Sequence, residues 1–281
     1  MREPGILSPR QLDERRWSVI VAFESYGTRA VVRVDHPTLE DDVRARLPYG
    51  WQQTKPRGDE PLFSLVTRRV GAGTRRETWY AVYTPDGVTL QTPELGNALD
   101  ELESRMQIYV AEMAHERIFL HAGVVALRGR AIILPGRSFA GKTTLVCEFV
   151  RAGAQYYSDE YAVLDASGIV HPFARPLAIR IDGGRQKKYL AETLGAVSGT
   201  EPISVGLVLL SSYRARAHWR PERLSRGQGL LELLGNAVPA RRKPQAVMET
   251  LEAVVSSAPV FRAERGEARL AVLRTIDLLE Y

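Results

Sequence analysis

A single cysteine, Cys147, occurs among 281 residues, so no intramolecular disulfide can staple the chain. That suits a reducing compartment. No stretch approaches a membrane span, and residues 1–10 lack the apolar core of a secretion signal, so a cytoplasmic protein without membrane contact is expected. Internal repeats and low-complexity tracts are also missing, which excludes a solenoid or a tether. Charge is nearly balanced, with 38 Lys and Arg against 33 Asp and Glu, a net +5 and a pI near 9.4. The arginines are scattered among acids, so no nucleic-acid partner is expected, and an acidic peptide or a phosphorylated ligand would be attracted as well. What is present is ordinary globular composition, 44% apolar and 25% charged, enough for one large domain or two smaller ones.

Within it, Gly136-Arg137-Ser138-Phe139-Ala140-Gly141-Lys142-Thr143 spells the phosphate-binding pattern G-x-x-x-x-G-K-[ST], the Walker A loop. Its context fits. Arg130–Leu134 is a short β-branched apolar run that reads as a buried strand, and Thr144–Arg151 reads as a helix stopping near Gly153. Strand, glycine loop and helix N-terminus together form a cradle in which main-chain N–H groups and the helix dipole face phosphate. Residues 136–144 are the nucleotide-binding candidates, with Lys142 on the β- and γ-phosphates and the Thr143 hydroxyl on magnesium. A nucleoside triphosphate, ATP or another, and Mg²⁺ are the expected cofactors. The loop does not say whether phosphate is transferred, hydrolysed or only sensed. Cys147, on the helix behind it, is expected to pack on a sheet.

Ahead of the loop, residues 17–23 and 29–34 read as strands joined across Ser25-Tyr26-Gly27, and Leu62–Val66 and Trp79–Tyr83 as another pair. Thr38–Leu47 reads as a short helix, and Pro85-Asp86-Gly87 as a turn. Residues 1–92 are thus expected to form a small β-rich module. From 93 to 117 the apolar positions Leu95, Leu99, Leu102, Met106 and Met113 predict a long amphipathic helix joining the halves. Residues 118–281 follow as the loop domain, opening with a strand to Leu127 that should form an antiparallel hairpin with the loop strand. Further on, Gln155–Ser158, Tyr161–Asp165 and Val205–Leu210 read as strands, Gln228–Leu234 and Gln245–Val255 as helices.

Ser158-Asp159-Glu160 leaves the strand after the loop helix. Phosphoryl transfer needs one carboxylate for magnesium and often another for the acceptor hydroxyl, and two adjacent acids can divide those tasks. A solvated turn is the plainer reading. His121 sits in an otherwise apolar strand, where a histidine is more often a satisfied core residue than a catalytic one. The hairpin would bring its ring near the loop.

Leu120-His121-Ala122-Gly123, the loop and Ser158-Asp159-Glu160 together resemble the C-terminal kinase domain of HPr kinase/phosphorylase, and more closely its short peptide-modifying relatives. In that family a histidine precedes the loop lysine and an acid follows it at the spacings found here, 21 residues from His121 to Lys142 and 18 from Lys142 to Glu160. His171–Arg180 resembles the family's Pro-x-x-Arg-Pro-Leu segment, and Leu230–Ala237 its later helix. The resemblance covers about residues 118–278 and implies an α/β P-loop kinase core of the HPr kinase/PEP carboxykinase-like type, a mixed sheet with flanking helices. It implies catalytic roles for His121, Lys142, Asp159 and Glu160, metal binding by Thr143 and Asp159, and phosphate or acidic-substrate binding by Arg175 and Arg180. The base is Asp159 or Glu160; glutamate stands where aspartate is usual. The family's Leu-Glu-Ile-Arg-Gly signature, tied to phosphorylase activity, is not found, so a kinase alone is expected. HPr kinases are hexamers, which leaves a homo-oligomer open here. Among the relatives are tailoring enzymes for ribosomally made peptides, including lasso-peptide precursors phosphorylated on a C-terminal serine. The expected function is therefore transfer of a γ-phosphoryl group to a Ser or Thr hydroxyl of a peptide or small protein. Its rivals are a kinase of a free hydroxylated metabolite and a nucleotide-gated binding protein without transfer.

Overall fold

The computed structural model describes residues 5–71, 77–136, 141–180 and 186–279. It divides into two compact units, residues 1–115 and 116–281.

The first unit is built on a six-stranded sheet. Its elements are α1 (Pro9–Asp13), β1 (Val19–Ser25), β2 (Thr28–Val34), α2 (Glu40–Arg44), β3 (Gln52–Thr54), β4 (Leu62–Val70), β5 (Glu77–Thr84), β6 (Gly87–Thr92) and α3 (Leu95–Met113), with strand order β3-β1-β2-β4-β5-β6. β1 and β2 form the expected hairpin, turned by Tyr26 and Gly27 at φ 49° and 72°. Positive φ at both central residues matches the right-handed twist of the flanking strands. β4 runs parallel to β2 and antiparallel to β5, and the Pro85-Asp86 turn leads into β6, a strand the sequence reading did not resolve. Alternation splits the sheet into two buried faces. Phe63 meets Tyr109 of α3 edge to face at 5.6 Å, while Val66, Ala81 and Tyr83 pack with Leu12 of α1 on the other side. The apolar stripe of α3 (Leu99, Leu102, Met106) is fully buried against this sheet, so the helix belongs to the first unit.

The second unit comprises β7 (Ile118–Leu127), β8 (Arg130–Pro135), α4 (Lys142–Arg151), β9 (Gln155–Ser158), β10 (Tyr161–Leu164), β11 (Val170–His171), β12 (Leu177–Arg180), β13 (Gln186–Tyr189), β14 (Val205–Tyr213), β15 (Glu222–Arg223), α5 (Arg226–Leu234), α6 (Pro244–Ser257), β16 (Val260–Arg265) and α7 (Ala268–Leu278). The main sheet runs β11-β10-β7-β8-β14-β16-β15, with β9 also on β7 and β12-β13 as a separate hairpin. It is mixed: β7 and β8 form the expected antiparallel hairpin, whereas β8, β14 and β16 are parallel.

Both faces of this sheet are covered, as the near-continuous apolar strands require. Leu120, Ala122 and Val124 of β7 and Ile133 of β8 face α5 and α6, packing with Leu233, Leu251 and Val254. Val125, Ile132 and Leu134 face α4 and α7, packing with Val146, Phe149, Cys147 and Val272. The period of two therefore assigns His121 and Gly123 to the α4 face. At Gly123 the helix comes so close that a Cβ would lie 2.7 Å from Val146 Cγ2.

Candidate functional site

Pro135 ends β8 opposite Ala122, and the next N–H, of Gly136, donates to the His121 carbonyl at 3.3 Å. The hairpin therefore delivers His121 to Gly136, the first residue of the G-x-x-x-x-G-K-T motif. Arg137, Ser138, Phe139 and Ala140 lie outside the described residues. The chain is described again at Gly141, left-handed at φ 78°, which caps α4. Lys142 opens the helix and is only 9% exposed, its Nζ donating to the Gly136 carbonyl at 2.6 Å. Burial lowers its pKa, while Asp159 and Glu160 act in the opposite direction. Thr144, in the first turn, is exposed.

The two acids occupy a gap in a strand. Val124 pairs with Ser158 and His121 with Tyr161, so Asp159 and Glu160 stand opposite Gly123 and Ala122 between β9 and β10. Buried Ser158 holds this opening, its Oγ accepting the N–H groups of Glu160 at 3.1 Å and Tyr161 at 3.0 Å. Asp159 turns toward α4: the Thr143 hydroxyl donates to its Oδ2 at 3.4 Å, and the Ala178 N–H lies at the same distance. Tyr156 Oη is 3.2 Å from Asp159 Oδ1 and 2.8 Å from the Arg175 carbonyl, and its one proton serves one acceptor at a time. Burial raises the Asp159 pKa against these hydrogen bonds.

His121 is half-buried with its ring 6.0 Å from that of Tyr161, and its main-chain N–H donates to the Asn236 carbonyl at 2.8 Å. Burial, with Lys142 adding to it, lowers its pKa to about 4. The imidazole is therefore neutral at pH 7. Loop lysine, Thr143, His121, Asp159 and Glu160 thus form one electrostatic neighbourhood. Arg175 is half-buried with its carbonyl on Tyr156, and the side chain of Arg180, the last residue of β12, lies outside the described residues.

Magnesium takes its usual six oxygens from one or two carboxylates, phosphates and water. Thr143 and Asp159 form a hard-oxygen pair of the kind such an ion accepts, and no cluster of three or more His, Cys, Asp or Glu residues occurs among the described residues. A cleft of about 710 Å³ in the first unit, lined by Leu7, Leu12, Arg33, Tyr83 and Val88, holds none of these groups.

Sequence reasoning missed Tyr156, Ser158 as a turn-holder and Arg265. Arg265 ends β16, is 4% exposed and approaches Gly141. The alternation Phe261, Ala263, Arg265 carried the signal, because it puts all three on the α4 face once the segment forms a strand.

The fold and site define a mixed α/β protein in which an acidic strand break and a buried lysine meet at a helix N-terminus. No protein-family model and no curated protein matches the chain. Among solved structures it is similar to the HPr(Ser) kinase/phosphatase from Coxiella burnetii, at 14% identity and a TM-score of 0.30, over 57% of this chain and 96% of that one. A likeness at that level says nothing of chemistry. No helix among the described residues is long and apolar enough to cross a membrane.

Proposed function

We propose that the second unit is a magnesium- and ATP-dependent kinase of the HPr-kinase-like type, acting on a Ser or Thr hydroxyl of a peptide or small protein. The observation that carries this reading is the gathering of His121, Asp159 and Glu160 around Lys142 and Thr143 at the N-terminus of α4. On phosphate binding, Lys142 exchanges the Gly136 carbonyl for the β- and γ-phosphates. Magnesium, held by Thr143 and Asp159, supplies neutralisation of the phosphate charge. Glu160, or Asp159 in its place, orients the acceptor hydroxyl and takes its proton as the oxygen bonds the γ-phosphorus and the bond to the bridging oxygen breaks. Neutral His121 offers a hydrogen bond to the transferring group without adding a second buried charge beside Lys142.

For the acceptor we favour a ribosomally made precursor such as a lasso peptide. An excess of basic residues suits an acidic peptide, and the first unit has a six-residue edge strand, β6, to which an extended peptide can add. The test is intact-mass spectrometry of candidate peptides incubated with the protein, magnesium and ATP or GTP. One phosphoryl group adds about 80 Da. Lys142→Ala or Glu160→Ala should cut the transfer rate by about 10²-fold or more with unchanged far-UV circular dichroism. Transfer retained by the Lys142 variant would sink the site assignment. Transfer to free hydroxylated metabolites alone, or nucleotide binding with no transfer, would replace the peptide kinase by one of its rivals.

A further inference from the structure

Arg265 is a buried cation without an ion-pair partner among the described residues: Glu267, two residues on, acts on it electrostatically but from beyond ion-pair distance. Its residue is 4% exposed, yet no carboxylate among the described residues lies within ion-pair distance, and its Nε–H is buried with no hydrogen-bond partner. Its two terminal nitrogens reach only main-chain carbonyls, Gly141 through Nη2 and Gly266 through Nη1, each at 3.3 Å. The guanidinium carbon lies 5.5 Å from the centre of the Tyr213 ring, its neighbour across the β14–β16 pairing. Two long bonds to neutral oxygens and one ring face are poor compensation for taking a charge out of water, since a guanidinium has five donors and a fork shaped for anions.

The position of this group indicates what completes it. Arg265 stands at the carboxyl end of the third parallel strand, beyond β8 and β14, where ligands of open α/β sheets collect. Its Nη2 occupies space that a Cβ on Gly141 would need, so it lies directly against the cap of α4, whose N-terminus attracts phosphate. The acceptor-side groups lie on the other flank of β8, on β7 and in the β9–β10 gap.

We propose that Arg265 is a nucleotide-binding residue whose guanidinium donates to the α- and β-phosphates, opposite the flank where transfer takes place. This rests on the kinase reading only in requiring a nucleotide at the loop. Because ADP and ATP share those phosphates, Arg265 serves both ligands equally, whereas a γ-phosphate contact would favour ATP.

The test is calorimetric titration of the full chain with MgADP and MgATP for wild type, Arg265→Met and Arg265→Lys, together with thermal unfolding of each without ligand. Loss of a charged hydrogen bond should weaken both nucleotides about tenfold or more, and by the same factor, in Arg265→Met. Arg265→Lys, which keeps the charge but not the fork, should fall between. Without ligand, Arg265→Met should unfold at the same temperature as wild type or higher, because it replaces a buried charge that has no ion-pair partner by an apolar chain of similar length. Unchanged affinity in Arg265→Met overturns the proposal, as does a lowered unfolding temperature with no recovery in Arg265→Lys, which would make Arg265 a structural peg for Gly141. A loss for ATP alone overturns the placement on the shared phosphates. Wild type binding neither nucleotide would instead overturn the loop reading itself. Should Arg265→Met fail to fold, the Lys variant carries the same comparison.

Discussion

At the scale of single residues, burial sets the protonation of His121, Lys142 and Asp159. His121 is the clearest case. Its pKa of about 4 in the folded chain lies below the ordinary 6.5, so the unfolded chain takes up a proton before the folded one does. Its contribution to stability is therefore fully present above pH 6.5 and is lost as the pH falls from 6.5 to 4. The shift corresponds to on the order of 3 kcal/mol. His121→Asn should flatten that part of the stability–pH curve, read by urea unfolding at pH 7 and at intervals down to pH 4. Parallel curves for wild type and variant would show that His121 is not held neutral. The same burial that keeps the imidazole uncharged lowers the Lys142 pKa and raises that of Asp159.

At the scale of elements, the decisive contact is the close approach of α4 to β7. Gly123 makes it possible. A methyl there meets Val146 Cγ2, on a stiff β-branched side chain inside a packed layer, so Gly123→Ala should cost about 1–3 kcal/mol. Helix α4 carries Lys142 and Thr143 at its first turn, so the same change should weaken nucleotide binding. Combining it with Val146→Ala should recover about 0.5–3 kcal/mol relative to the sum of the single changes. Additive losses would mean that the two residues do not press on each other. Much of this architecture was legible in the sequence, because short continuous apolar runs marked β7, β8 and β14, and a periodic stripe marked α3. What was not legible depended on partners far along the chain. The β12–β13 hairpin has no strong apolar alternation, β15 is two residues long, and β16 continues through Arg262 and Glu264, whose charge hid its strand character beyond Phe261. The site divides in the same way. The loop motif and the spacings around it pointed to Lys142, Thr143, Asp159, Glu160 and His121 as candidates, whereas Tyr156 and Arg265 meet their neighbours, Asp159 and Gly141, only in the folded sheet.

At the scale of the whole molecule, the candidate site falls within one of the two units. Every described residue of the candidate site lies in residues 116–281, which carry a buried core on each face of their own sheet. The first unit contributes none of those residues; it has its own sheet, with β3 and β6 as edges. An edge strand is a template for pairing with an extended chain, and β6 is twice the length of β3. Residues 116–281 produced alone should therefore fold, as seen by far-UV circular dichroism, and bind MgATP with the affinity of the full chain. Phosphorylation of a peptide acceptor by this piece should fall by about tenfold or more in kcat/KM, the equivalent of one lost interaction of about 1.4 kcal/mol. The loss should appear in KM, because the missing strand pairing holds the ground state and the transition state alike. Backbone N-methylation of alternate acceptor residues should reproduce that defect in the full chain and add nothing in the piece. A piece that phosphorylates the peptide as well as the full chain would remove acceptor recognition from the first unit. A folded piece that binds no nucleotide would show that the phosphate site is not complete within the second.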